Sequence, residues 1–101
     1  MVDAIDPNLI LEQLILNGTL SEDIQLNSFS MTDGQITLDV NEAFQAQLKT
    51  YGTTGEIMMM GSVVNTFLDV YEAETVLITA NGQFMESGHA IYDFPMGYIN
   101  G

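Results

Sequence analysis

The chain contains no cysteine, no tryptophan and no arginine, and its one lysine is Lys49. Without cysteine there is no disulfide framework, no thiolate zinc site and no thiol nucleophile. Fourteen Asp and Glu residues against that single lysine give a formal net charge of −13 over 101 residues. A nucleic-acid surface must replace phosphate counterions with Lys and Arg, so no nucleic-acid partner is expected. Anionic lipid headgroups are repelled for the same reason. Phosphoryl-transfer chemistry is improbable too, because its charge stabilisation calls on Lys or Arg. The acidity is read first as a solvated surface, one that also attracts basic partners or calcium.

Long apolar runs are missing as well. None approaches the roughly 18–20 residues of a membrane span, so direct membrane insertion of this segment is not expected. The opening "MVDAIDP" has no basic stretch followed by an apolar core and therefore no signal peptide. It passes quickly into a helix start and reads as an initiator Met on a domain excised from a longer protein.

What is present is a folding sequence. Hydrophobic residues make up 47% of it, enough for one modest core in a single domain over residues 1–101. In "IDPNLILEQLILNG", Asp6 can cap a helix, Pro7 suits its first position and Gly18 its stop. Ile10, Leu11, Leu14 and Ile15 form its apolar stripe. "EDIQLNSFSM" alternates loosely as a strand, "TDG" is a turn, and "QITLDV" alternates cleanly with Ile36, Leu38 and Val40 on one face. "NEAFQAQLK" is a short helix capped by Asn41. Thr53 and Glu56 stand at capping-box spacing and place the start of a second long helix near Gly55, running to about Tyr71. "TVLITANGQFME" is a strand, an Asn81-Gly82 hairpin signal and a short return strand. "SGHAIYDFPMGYING" reads as an irregular but packed tail. Helix, strand, strand, helix, strand, with a last short strand, implies an α+β two-layer sandwich. The strands flanking the second long helix should be parallel.

"EIMMMG" tests for a soft-metal site. Residues on a helix advance by about 100° each, so Met58, Met59 and Met60 diverge and cannot converge on copper(I). Ile57, Gly61, Val64 and Leu68 share a face, flanked by Met60 and Phe67, and this is the expected core stripe. Gly61 would let the helix approach the sheet closely. Met58 and Met59 then lie at the flanks or outside, where methionine makes adaptable contact surface.

His89 is the only histidine. Neither a nucleophile elbow, an HExxH pair, a calcium loop nor a phosphate cradle accompanies it, so no catalytic, metal or cofactor-binding residues are assigned. Close acid pairs such as Glu72 and Glu74 are read as a solvated face.

From Gly55 to His89, "GEIMMMGSVVNTFLDVYEAETVLITANGQFMESGH" resembles the GerMN domain of sporulation and spore-germination proteins of the bacterial cell envelope. The likeness rests on Leu38–Phe44, Val63–Thr66, Val76–Thr79, Asn81–Gln83 and Met85–His89, and covers roughly residues 20–95, and the first helix also suits the family's domain. The resemblance implies an extracytoplasmic domain, often part of a lipoprotein, with a fold akin to ring-building motifs. It brings no catalytic residues. The chain departs from the pattern in lacking a lipobox cysteine, a signal and a second domain copy. On this reading the domain is a non-catalytic assembly or binding module that contacts itself or another envelope protein. The alternative is peptidoglycan or other envelope-glycan binding through Tyr51, Tyr92 and Tyr98. Candidate partner-surface residues are Met58, Met59, Asn65, Tyr92 and Tyr98. Asn65 is read foremost as bonded to a neighbouring loop.

Overall fold

The computed structural model describes residues 6–99. The opening Met and the approach to the first helix lie outside them. Helix α1 spans Pro7–Leu16. Asp6 caps it, accepting the Asn8 N–H at 2.9 Å, and Pro7, whose missing N–H is no loss in a first turn, follows immediately. Ile10, Leu11 and Leu14 are buried, as the stripe requires, and Ile15 packs partly against them.

Two hairpins build most of the sheet. β1 (Leu26–Thr32) and β2 (Gln35–Val40) are joined by Asp33 and Gly34, with φ of 51° and 82°. β3 (Thr75–Ala80) and β4 (Gln83–Glu86) are joined by Asn81 and Gly82, with φ of 51° and 81°. Two successive left-handed residues make the primed turn whose twist matches that of the strands, and Asp-Gly and Asn-Gly tolerate it best. A two-residue β5 (Ile91–Tyr92) completes the order β1-β2-β3-β4-β5.

β2 and β3 pair in parallel, with Ile36, Leu38 and Val40 opposite Val76, Ile78 and Ala80. All six side chains are buried on one face, while their neighbours on the other are half-buried. The helices cover the buried face. Phe44 and Leu48 come from α2 (Glu42–Leu48), and Met60, Val63, Val64 and Phe67 from α3 (Thr53–Tyr71). Phe29 of β1 stacks against the same layer, 6.3 Å from the Phe67 ring and 4.9 Å from that of Tyr71. The protein is the α+β two-layer sandwich that the element order implied.

Several local expectations are corrected. The first strand begins at Leu26, and Ile24 is buried in the loop before it. Asn41 sits at the N-cap of α2, but its side chain bonds the Gln25 N–H and the Asp23 carbonyl instead. Helix α3 starts at Thr53 after Gly52, and no side chain caps it. The capping box fails because Glu56 is turned inward.

The core stripe of α3 is also rotated from the expected one. Glu56, Met59, Met60, Val63, Val64, Phe67, Leu68 and Tyr71 are buried, whereas Ile57 is 38% exposed. Met59 is thus a core residue, 4% exposed, and Met58 alone of the three methionines faces outward at 64%. Gly61 does not approach the sheet. A Cβ there would meet the Ile99 side chain of the C-terminal tail at 3.4 Å.

That tail is a strap. β4 leaves β3 after Phe84 and pairs with β5. Met96 then takes over the vacated edge of β3, exchanging two backbone hydrogen bonds of 2.8 Å with Val76. The chain crosses finally to α3, where Ile99 lies over Gly61.

Candidate functional site

Two side chains of α3 hold the strap. The first is Glu56, whose side chain is 5% exposed. Burial pushes its carboxyl pKa upward, but hydrogen bonds from Tyr92, His89 and Ser87, with the charge of His89, outweigh that and hold it below its ordinary value. Tyr92 donates its hydroxyl to one carboxylate oxygen. His89 Nδ1 meets the other at 3.1 Å. Burial, followed by the bond to Glu56 and its charge, raises the Tyr92 pKa strongly, so the phenol stays a donor.

Chemically, this cluster is a fastening. A buried carboxylate that orients one ring nitrogen of a half-exposed histidine is half of a nucleophile-activating set. Ser87, the hydroxyl nearest His89 in sequence, is already engaged: its Oγ accepts the N–H groups of His89 and Ala90, each at 3.0 Å. Among the described residues no group of three His, Asp or Glu could hold a metal ion.

The second is Asn65. Its Oδ1 accepts the Ile99 N–H and its Nδ2 donates to the Ile99 carbonyl, both at 2.8 Å. The amide thereby acts like a facing strand, satisfying both backbone groups of one residue. This is the loop bond expected of Asn65.

Between α1, α3 and the strap runs a groove of about 470 Å³. Ile57, Met58 and Gly61 line it from α3, Leu14 from α1, Asn17 and Thr19 from the turn that follows α1, and Tyr98 and Ile99 from the strap, with Asn65 and Asp69 further along α3. Tyr98 is 60% exposed. A second hollow of about 280 Å³, lined by Tyr51, Gly55 and Met59, lies on the other side of Met58. A larger hollow of about 610 Å³ beside α2 is lined by short or polar residues, Asn41, Ala43, Gln45 and Lys49 among them. Only the first two combine an exposed large apolar side chain with a concave surface, and Met58 is common to both.

The structure therefore brings Met58, Asn65 and Tyr98 to one groove. Tyr92 stands apart, half-buried with its hydroxyl committed to Glu56. Met59 belongs to the core. The sequence reading missed Glu56. A signal was there, since Glu56 falls four residues before Met60 on a stripe that continues through Val63, Phe67 and Tyr71. An acid on a buried stripe calls for hydrogen-bond donors, and the motif Ser87–His89 with Tyr92 supplies them.

The family model described as Germane, sporulation and spore germination, matches residues 4–86. The chain belongs to that family. The match takes in α1, as the fit of the first helix to the family's domain implies, and ends at Glu86, short of the residue 95 to which the resemblance extends; the strap from Ser87 onward lies beyond it. A solved structure from Clostridium perfringens, described as that of a candidate lipoprotein, is similar with a TM-score of 0.67 at 17% identity, over 92% of this chain and 70% of that one. At that identity the likeness is one of fold. No curated protein matches the chain in sequence. No helix among the described residues is long and apolar enough to cross a membrane.

Proposed function

We propose that the protein is a non-catalytic docking module of a bacterial cell-envelope protein, working outside the cytoplasm by protein–protein contact. The observation that carries this reading is the exposed apolar set Ile57, Met58 and Tyr98 around one groove of α3. Methionine is unbranched and polarizable and adapts to irregular partner surfaces. Covering the exposed part of Met58 would contribute about 1–2 kcal/mol, and Tyr98 adds an aromatic anchor of the kind interfaces favour. Membership of a sporulation and germination family supports the envelope setting, as does a fold neighbour described as a candidate lipoprotein. The resemblance to ring-building motifs makes contact between folded domains the expected mode.

The test is a photo-crosslinking amino acid at position 58 of the parent protein in its native cells, with position 84 as control. Crosslinks from position 58 to a protein, found in the envelope fraction, are expected. Crosslinks to glycan strands alone would move the function to the envelope-glycan alternative, and a cytoplasmic product would overturn the proposed setting. Glycan binding is the less supported reading because its three tyrosines do not share one surface: Tyr51 and Tyr98 flank Met58, and Tyr92 does not join them.

A further inference from the structure

We infer that the groove between α3 and the strap takes an amphipathic segment of another protein whose polar face carries Lys or Arg, and not a second copy of this chain. This rests on the docking reading above and specifies its partner. The argument begins with charge. Asp69 is the one charged residue lining the groove. The protein's single lysine lines a different hollow, beside α2. The groove therefore sets apolar side chains (Ile57, Met58, Tyr98) among neutral polar ones (Asn17, Ser62, Thr66), carries one acid, and holds no cation to pair with a partner's carboxylate. An apolar stripe bordered by cations complements it on both counts.

The long-range field selects the same occupant. A formal net charge of −13 raises the local concentration of cationic segments and repels another copy carrying the same charge. A second copy could bring only one Lys or Arg side chain, Lys49, to the interface.

Its geometry is that of a built groove. It runs between α3, the end of α1 and the strap, which is held in place by the two bonds from Asn65 to Ile99. Ile99 crosses the helix over Gly61, 3.4 Å from where a Cβ would stand. Asn65 is thus a positioning residue for the groove, set one helical turn from Gly61 on the side the strap crosses. The strap belongs to the part of the chain beyond the family match, so the partner it selects is particular to chains that carry such a strap.

The test uses three labelled helical peptides with the same Leu/Met stripe and with Lys, Gln or Glu on the polar face. Fluorescence anisotropy measures binding, amide chemical shifts locate it, and light scattering follows the protein alone over the same salt range. The Lys peptide is expected to bind one to one, with shifts centred on Ile57, Gly61, Asp69 and Ile99. Its affinity should fall between about 10 mM and about 150 mM salt, as the screening length shrinks from about 30 Å to about 8 Å. Met58→Gln should weaken it roughly tenfold, the loss of one buried apolar contact, and Asp69→Asn should flatten the salt dependence. Asn65→Ala should weaken binding while the fold, read by far-UV circular dichroism, persists. Equal binding of the Lys and Glu peptides, shifts centred elsewhere, or no binding would overturn the inference. If the protein instead self-associates through position 58 as salt rises, a second copy is the occupant: the inference fails and the docking reading stands. Loss of both peptide binding and crosslinking to protein from position 58 would end both.

Discussion

Asn65 holds Ile99 at both of its backbone groups, accepting its N–H and donating to its carbonyl at 2.8 Å across 34 residues of chain. An asparagine in the middle of a helix is unfavourable there by propensity. Here its side chain points away from its own backbone and serves as an extra rung for the tail. Together with Glu56 it converts a segment without a helix, and with only a two-residue strand, into a fixed wall of the protein.

Asn65→Ala should therefore cost about 1–2 kcal/mol, since two partially buried backbone groups lose their partners. The effect should be local. Hydrogen exchange at the Ile99 amide should accelerate markedly while that at Ile78, in the centre of the sheet, follows only the change in global stability.

Tyr92 and His89, the two side chains that hold Glu56, should rank in a definite order. Tyr92→Phe removes a donor from a buried carboxylate and should destabilise by about 1–3 kcal/mol. His89→Ala should cost under about 1 kcal/mol, because the imidazole is half in solvent and its pairing is screened. Chemical denaturation of the two variants at neutral pH measures this. Equal losses would mean that the histidine contributes as much to the fastening as the phenol.

Acid should dissolve the Glu56 contribution. Its folded-state pKa lies below the reference value of 4.5. The stabilisation is present above that reference and is lost as the pH falls through the folded value. The stability gap between the native protein and Glu56→Gln should accordingly be widest above about pH 5 and close in stronger acid. Asp39 should behave in the same direction. Burial raises its pKa, but bonds from Thr79, the Gly82 N–H and Asn27 together lower it.

Gly61→Ala should be tolerated. Replacing glycine inside a helix contributes about 1 kcal/mol in favour of alanine, and the new Cβ would sit 3.4 Å from Ile99, at the near limit of ordinary contact. Thermal unfolding should show an unchanged or slightly raised midpoint. Gly61→Leu should lower it by forcing the strap off the helix.

Gly82→Ala should do the opposite of Gly61→Ala although it meets no neighbour. Its φ is +81° and nothing lies within 4 Å of a Cβ there. The cost is then backbone strain alone, about 1–2 kcal/mol, and a urea titration should show a lower midpoint with an unchanged slope.

Much of the fold was legible because its signals are local. Asp6-Pro7, Asp33-Gly34 and Asn81-Gly82 each state a backbone conformation within a few residues, and Ile36, Leu38 and Val40 state a buried face by alternation alone. Periodicity on α3 was less decisive. In "EIMMMGSVV" apolar residues surround the helix, so two stripes a small rotation apart fit equally well by composition. The one that won buries Met59 and exposes Ile57. Of the candidate surface, Met58 and Tyr98 could be named from sequence, but nothing local showed that a segment 34 residues away would come to lie beside Asn65.

By itself the sequence determined the element order, both hairpin turns, the buried faces of β2 and β3, the excess of acid over base and the family. Each of these depends on residue type and short-range spacing. Only the tertiary structure decided which way α3 is rotated, that Glu56 is an internal anchor and not a cap, and that the tail crosses β3 and α3 to wall a groove. Those outcomes turn on contacts between distant segments. A buried carboxylate goes where donors converge, and Tyr92, His89 and Ser87 converge on Glu56 only once the sheet and helix have brought them there.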